Sequence, residues 1–220
     1  MLTSTQNRAL WAVILAMAVY FAFQARDQID MVFAGVGKLE VRPSRDENEL
    51  HLFWRGKIET PMAERIADAF GKQGAGKRRV LLSIHSPGCA LDHGAKVVKL
   101  LREIAATHDL ETRIDSGKSC ASMCVPVYLQ GTRRTASEDA RFMFHEVSFH
   151  EELGEEKSDV PEAAKSSATD RLFTKYFAPA GVPSDWIAKV RTQMTGGKDI
   201  WKTGRELLDE NAGIVLDVRE

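Results

Sequence analysis

"SCASMCVPVYLQGTRRTASEDARFMFHE", Ser119 to Glu146, is the stretch from which the rest of the chain is best read. It leaves a polar turn, "SGK" at residues 116–118, and enters an apolar run that begins at Ser122, with Cys120 and Cys124 two residues away on either side. Three chemistries suit such a junction. A serine at the start of a helix caps its unpaired N–H groups. Two thiols supply half of a metal site. A serine hydroxyl is also a nucleophile when a base stands beside it. The stretch closes on "ARFMFHEV", residues 140–147, which reads as a strand and carries the base that the third chemistry needs, His145.

Working outward, "VLLSIH" (80–85) is an apolar run of strand length, as expected of a strand buried on both faces of a parallel sheet. "SPG" turns the chain into a helix over 92–107 with Val97, Val98, Leu101 and Ile104 inward. Before it, "ELHLFWRG" (49–56) alternates as a strand. Thr60 then caps a helix with Pro61 in its first position and Met62, Ile66 and Phe70 on one face. "LETRID" (110–115) is the strand that leads into the opening stretch. Downstream, helices are expected over 161–176, 184–194 and 203–210, then a strand "GIVLDV" over 213–218. Strands alternating with crossover helices give an α/β architecture with right-handed connections. In such a sheet "SIHSPGCALDHG" and "SGKSCASMCVPVY" both open at the carboxyl ends of strands, where sites form. Their outward backbone N–H groups suit a developing oxyanion.

The chain has 220 residues, 44% of them hydrophobic, enough for one sizeable core and one domain. A formal net charge of -1 gives no electrostatic argument for a nucleic-acid partner. "HEELGEEKSD" (150–159) reads as a solvated acidic loop, and no internal repeat is visible. The amino terminus is unlike the rest. Residues 9–25, "ALWAVILAMAVYFAFQA", carry no charge, and Arg8 and Arg26 bracket them. As a helix they reach about 26 Å, close to the roughly 30 Å hydrocarbon core of a bilayer. A cleavable signal peptide needs small residues at -3 and -1, whereas cuts after Ala22 or Ala25 place Tyr20 or Phe23 at -3. An uncleaved membrane anchor is therefore the expectation, laid out as anchor 1–26, linker or first short strand 27–47, and one domain 48–220. Basic residues are nearly balanced across the segment, so the positive-inside rule does not orient it. The domain beyond the anchor is expected to be exported and to lie outside the cytoplasm. Three cysteines fit one disulfide and a spare thiol, or reduced thiols.

Two near-motifs read as polar turns. "GKQGAGKR" resembles a phosphate loop, but Arg78 stands where Ser or Thr should hold magnesium, and a helix precedes where a strand should. "GKS" at 117–119 has Thr112 in place of the earlier glycine.

"SIHSPGCALDHGAKVVKLLRE" resembles the "N-S-P-G-G" junction and helix of the Clp protease proteolytic subunit, ClpP. "SCASMCVPVYLQGTRRTASEDARFMFHE" resembles that family's "A-A-S-M-G" nucleophile segment followed by its "M-I-H-Q" strand. "LFWRGKIETPMAERIADAF" and "GGKDIWKTGRELLDENAGIVLDV" resemble its first unit and its closing segment. A closer likeness is to bacterial, exported ClpP-like proteins with a "C-A-S-A-C" segment, and it implies the periplasmic domain of a single-pass protein of the bacterial inner membrane. The resemblance runs over residues 49–217 and implies a ClpP/crotonase-like spiral of β-β-α units, preceded here by one transmembrane helix. It implies a serine peptidase acting on a peptide or protein, with no metal or cofactor and with self-association. It places Ser122 on the nucleophile, His145 on the general base and Asp199 on the acid that orients the histidine. It places the backbone N–H groups of Met123 and Cys89, beside Gly88, on the oxyanion hole. Cys89 replaces the second glycine of "S-P-G-G", which strains the chain if that position needs a glycine-only angle. Other readings stand beside this one. Ser122 is compatible with a plain helix cap, His145 with a core histidine and Asp199 with a cap. Cys120 and Cys124 are compatible with buried hydrophobes, a mutual bridge, or a bridge from one of them to Cys89 that braces a retired, non-catalytic site. A zinc set of Cys89, Cys120, Cys124 and His145 matches no standard spacing. A serine–lysine pair would use Lys118 or Lys96, and crotonase-type acyl-CoA chemistry gives the Ser–His pair no necessary role.

Overall fold

In a computed structural model of the chain, the residues described are 37–149 and 160–219, with positions 11, 15 and 17. The expected anchor over 9–25 lies, but for those three positions, outside them. Among the described residues no helix is long and apolar enough to cross a membrane.

The core begins with two strands whose alternate residues are apolar. β2 (Glu49–Arg55) and β3 (Arg79–His85) pair in parallel, Leu52 opposite Leu82 and Trp54 opposite Ile84. Leu50, Leu52, Trp54, Val80, Leu82 and Ile84 are buried against the helices that cross between strands. α1 (Thr60–Gln73) contributes Met62 and Ile66, spaced one helical turn apart. α2 (Leu91–Ala105) contributes Gly94, Val97, Val98, Leu101 and Ile104. The sheet runs β1 (Lys38–Arg42), β2, β3, β4 (Asp109–Ile114), β6 (Arg133–Ser137), β9 (Asp217–Arg219), with only β1 antiparallel to its neighbour.

A second, three-stranded sheet holds the opening stretch. β5 (Ser119–Ala121) lies parallel to β7 (Arg141–Phe144), which lies antiparallel to β8 (Ile200–Thr203). A bridge between Ser86 and Cys120 ties this sheet to the end of β3. α3 (Cys124–Tyr128) follows β5 and is buried along its length. α4 (Glu162–Leu172) continues into a π-helical turn, Phe173–Phe177, and a 3-10 turn, Ala178–Ala180. α5 (Ser184–Met194) and α6 (Gly204–Asp209) complete the chain. These helices dock on β7 through an aromatic cluster in which Phe144 lies 5.4 Å from Trp186 and 6.3 Å from Phe177, ring centre to ring centre.

Several expectations shift. α1 starts at Thr60 with Glu59 in the cap position, so Thr60 is the first helical residue and not the cap. The helix expected over 161–176 ends at Leu172 and changes to the π form. "IWKT" is a strand, so Asp199 precedes a strand and caps no helix. "GIVLDV" pairs only from Asp217. Its earlier part is held by Arg134, which donates to the carbonyls of Gly131, Ala180, Gly213 and Ile214 in place of a ladder.

Candidate active site

Ser122 stands where β5 turns into α3. Its φ of 55° is left-handed, and only one other non-glycine described residue, Asn211, shares that sign. Such a backbone costs an L-residue roughly 1–2 kcal/mol and persists when its surroundings over-determine it. Here they do. The Ala121 N–H donates to Ser86 O at 3.0 Å, the Ser122 N–H to Met143 O at 3.0 Å, and the Val125 N–H to Ser122 O at 3.0 Å. The cap position of α3 is taken by Met123, and no side chain caps it, so the plain capping role is not the one Ser122 fills.

Parallel pairing of β5 with β7 sets Ala121 beside Met143, so that Ser122 and His145 leave the ends of adjacent strands. The Ser122 Oγ and His145 Nε2 are 2.7 Å apart, a full hydrogen bond. Both line a cavity of about 420 Å³. Its walls are the 87–91 turn, Met143, Phe144 and Val147, and, from the other end of the chain, Leu172, Phe173 and Phe177. The cavity also takes in Lys57 but neither Lys118 nor Lys96, so a serine–lysine pair is not assembled.

The turn "SPGC" meets this elbow from β3. Gly88 has φ 95°, and a Cβ there would lie 2.6 Å from Ala121 O and 2.9 Å from Ser122 Cβ. Glycine is required both by angle and by space. Its N–H donates to Ser86 Oγ at 3.0 Å, so as an oxyanion donor Gly88 is committed elsewhere. The N–H groups of Met123 and Cys89 donate to no partner among the described residues. Cys89 does not have a positive φ, so the strain expected of a cysteine in this turn is absent and the demanding angle falls on Gly88.

The thiols resolve into a pair and a single. Cys120 and Cys124 form a disulfide, and Cys89 is free. The bridge from Cys89 that would brace a retired site is therefore not formed, and two of the four zinc ligands are consumed. Among the described residues no group of side chains is arranged to hold a metal ion. Cys89 lines the cavity, and burial pushes its thiol up to about 12, against a weaker opposing hydrogen bond from Gly94.

Asp199 arrives through β8. The antiparallel register pairs Phe144 with Ile200, so the next residues along the two chains are His145 and Asp199. Both line a second cavity of about 310 Å³. Asp199 is exposed and makes no hydrogen bond to His145 among the described residues. Gly88 was singled out from the sequence for the oxyanion hole and not for its close approach under the elbow, and the apolar wall of Leu172, Phe173 and Phe177 was missed. A π turn inside a helical run is a frequent mark of a functional site, but "FTKYF" carries no signal that distinguishes it from ordinary helix.

No protein-family model matches the chain, and no curated protein matches it. A solved structure of a ClpP1 point mutant from Listeria monocytogenes matches with a TM-score of 0.58 and 18% identity, over 80% of this chain and 92% of that one. The fold is ClpP-like.

Proposed function

We propose that the protein is a serine hydrolase that cleaves peptide bonds, with Ser122 as nucleophile, His145 as general base and Asp199 as the group that orients the histidine. The observation that carries this reading is the 2.7 Å contact between Ser122 Oγ and His145 Nε2 at a left-handed elbow. A serine hydroxyl already hydrogen-bonded to an imidazole is the arrangement that activates a serine. In the reaction Oγ attacks the substrate carbonyl carbon while its proton passes to Nε2. The carbonyl oxygen becomes an oxyanion, stabilised by the N–H groups of Met123 and Cys89. Collapse breaks the C–N bond, and the leaving amine takes the proton from His145. Water then gives a proton to His145 and its oxygen to the acyl group. The product acid departs, and the proton returns to Ser122. The apolar wall of Leu172, Phe173 and Phe177 suits a hydrophobic substrate side chain. No cofactor enters any step.

The same proposal places the domain outside the cytoplasm on an anchor formed by residues 9–25, and includes self-association. Its support is the uncharged apolar segment for the first and the likeness to ClpP for the second. The test is a fluorophosphonate probe on the full chain in detergent. Labelling is expected on Ser122, lost in Ser122→Ala and reduced at least roughly a hundredfold in His145→Ala. A folded protein that shows no Ser122-dependent labelling refutes the reading.

A further inference from the structure

We propose that the Cys120–Cys124 disulfide is a positioning element for Ser122, a covalent clasp that holds the turn aiming its hydroxyl at His145. The inference rests on the hydrolase reading above. The bridge joins cysteines four positions apart and closes over Ala121, Ser122 and Met123, so the nucleophile lies inside the ring it makes. Both sulfur-bearing residues are fully buried.

A serine presented between a strand and a helix needs the two arms of the turn to approach closely. Elbows of the type G-x-S-x-G meet this with glycines two residues before and two after the serine. In this chain those two positions are Cys120 and Cys124, and no glycine lies between them. A covalent bond brings the arms together instead, with their Cα atoms 5.2 Å apart. The helical arm is held at its far end, where the Tyr128 carbonyl accepts from Thr112 Oγ1 and the Tyr128 hydroxyl donates to Thr135 O, and near the turn by the Val125 N–H to Ser122 O. α3 is five residues long, and Pro126 within it has no N–H to give. The strand arm is pinned by Ala121 and Ser122 to Ser86 and Met143. The bridge adds a covalent tie at the near end of the helical arm, beside Met123, whose N–H donates to no partner among the described residues. A ring this short restricts the unfolded chain least, so its effect is concentrated on the folded turn. Without it Ser122 can leave the left-handed region, which moves Oγ and the Met123 N–H together. The apolar wall of the cleft comes from other elements and stays in place.

The full chain is compared in three forms: oxidised, Cys120→Ala/Cys124→Ala, and reduced by a small dithiol. The dithiol gives two electrons and two protons to the S–S bond, leaves two thiols and becomes a cyclic disulfide itself. Fluorophosphonate inactivation is followed per folded molecule. A misplacement of about 1 Å costs roughly 10²-fold, so the maximal rate of inactivation is expected to fall tenfold to a hundredfold. The probe's half-saturating concentration is expected to stay within twofold. As a readout independent of chemistry, the imidazole NMR signals of His145 are expected to move on Ser122→Ala in the oxidised protein and not in the bridge-less forms. Unchanged inactivation rates in folded bridge-less protein overturn the clasp while leaving the hydrolase reading intact. An oxidised protein that does not label, yet shows the bridge-dependent NMR response, sinks the hydrolase reading and keeps the clasp. If neither bridge-less form folds, the disulfide is a folding requirement and the positioning role is withdrawn.

Discussion

Replacing Gly88 by alanine tests the site through a residue that does no chemistry. The new Cβ would sit 2.6 Å from Ala121 O and 2.9 Å from Ser122 Cβ. Ordinary non-bonded contact begins near about 3.5 Å, so one partner must retreat by about 1 Å. The 87–89 turn has little freedom, because Gly88 O accepts from the Ile58 N–H and Gly88 N–H is held by Ser86 Oγ. The elbow is what moves, and a displacement of that size costs about 10²-fold in rate. The φ of 95° adds a backbone cost of about 1–3 kcal/mol, each kcal/mol lowering the melting temperature by about 2–4 °C in a domain of this size. Gly76→Ala is the matched control. Its φ is 78° and nothing lies within 4 Å of the added Cβ, so it carries the backbone cost without the clash. The assay is Ser122 labelling by a fluorophosphonate, with thermal unfolding followed by circular dichroism. Gly88→Ala is expected to lose both labelling and stability, and Gly76→Ala stability alone. If Gly88→Ala labels within twofold of the parent, the turn does not set the elbow and the reasoning fails.

Three further outcomes are expected. Asp199→Asn lowers the maximal labelling rate at least tenfold but by less than about 10⁴-fold, the loss known for a buried triad acid, with melting unchanged; a parental rate removes Asp199 from the site. Burial alone would push the Glu111 carboxyl up, but Arg113, Thr135 and Arg219 outweigh it and hold the group below the usual carboxylate range. A depressed folded pKa gives stability that is complete above the unfolded value and lost as pH falls. Denaturant titrations should therefore show Glu111→Gln about 1–3 kcal/mol less stable at pH 7, with the gap narrowing below about pH 4.3; a gap independent of pH contradicts this. Cys89, with its thiol near 12, should react with iodoacetamide at pH 8 roughly 10³-fold more slowly than an exposed thiol, and the alkylated protein should lose Ser122 labelling because the thiol lines the same cavity; alkylation at the rate of a free cysteine speaks against it.

Elements with one strong period were legible in the sequence. α2 carries its apolar residues at helical spacing, and β3 is a mostly apolar run broken by Ser83, because both pack into the core. The short strands were not. "RRTAS" has no apolar alternation, since Arg134 is satisfied by four carbonyls and Thr135 by the buried Glu111 carboxylate. "IWKT" hides beside a real helix start, the Thr203 and Glu206 capping box. In the site, Ser122 and His145 stood out because each closes a strand, and parallel pairing of those strands joins them. Asp199 depended on an antiparallel register that no local pattern announces. The disulfide partner was illegible in principle, because three thiols allow three pairings and only the fold chooses among them.

The β7–β8 pairing also has a consequence in time. A chain made from its amino terminus presents Ser122 and His145 before Asp199 exists, and the intervening segment must be synthesised before β8 can lie beside β7. At about 5–20 residues per second that delay is on the order of several seconds. The cleft also waits for the segment bearing Leu172, Phe173 and Phe177. A growing polypeptide thus carries an unfinished pair beside its own unfolded neighbours and closes the constellation only once the segment through Asp199 has been made and has paired.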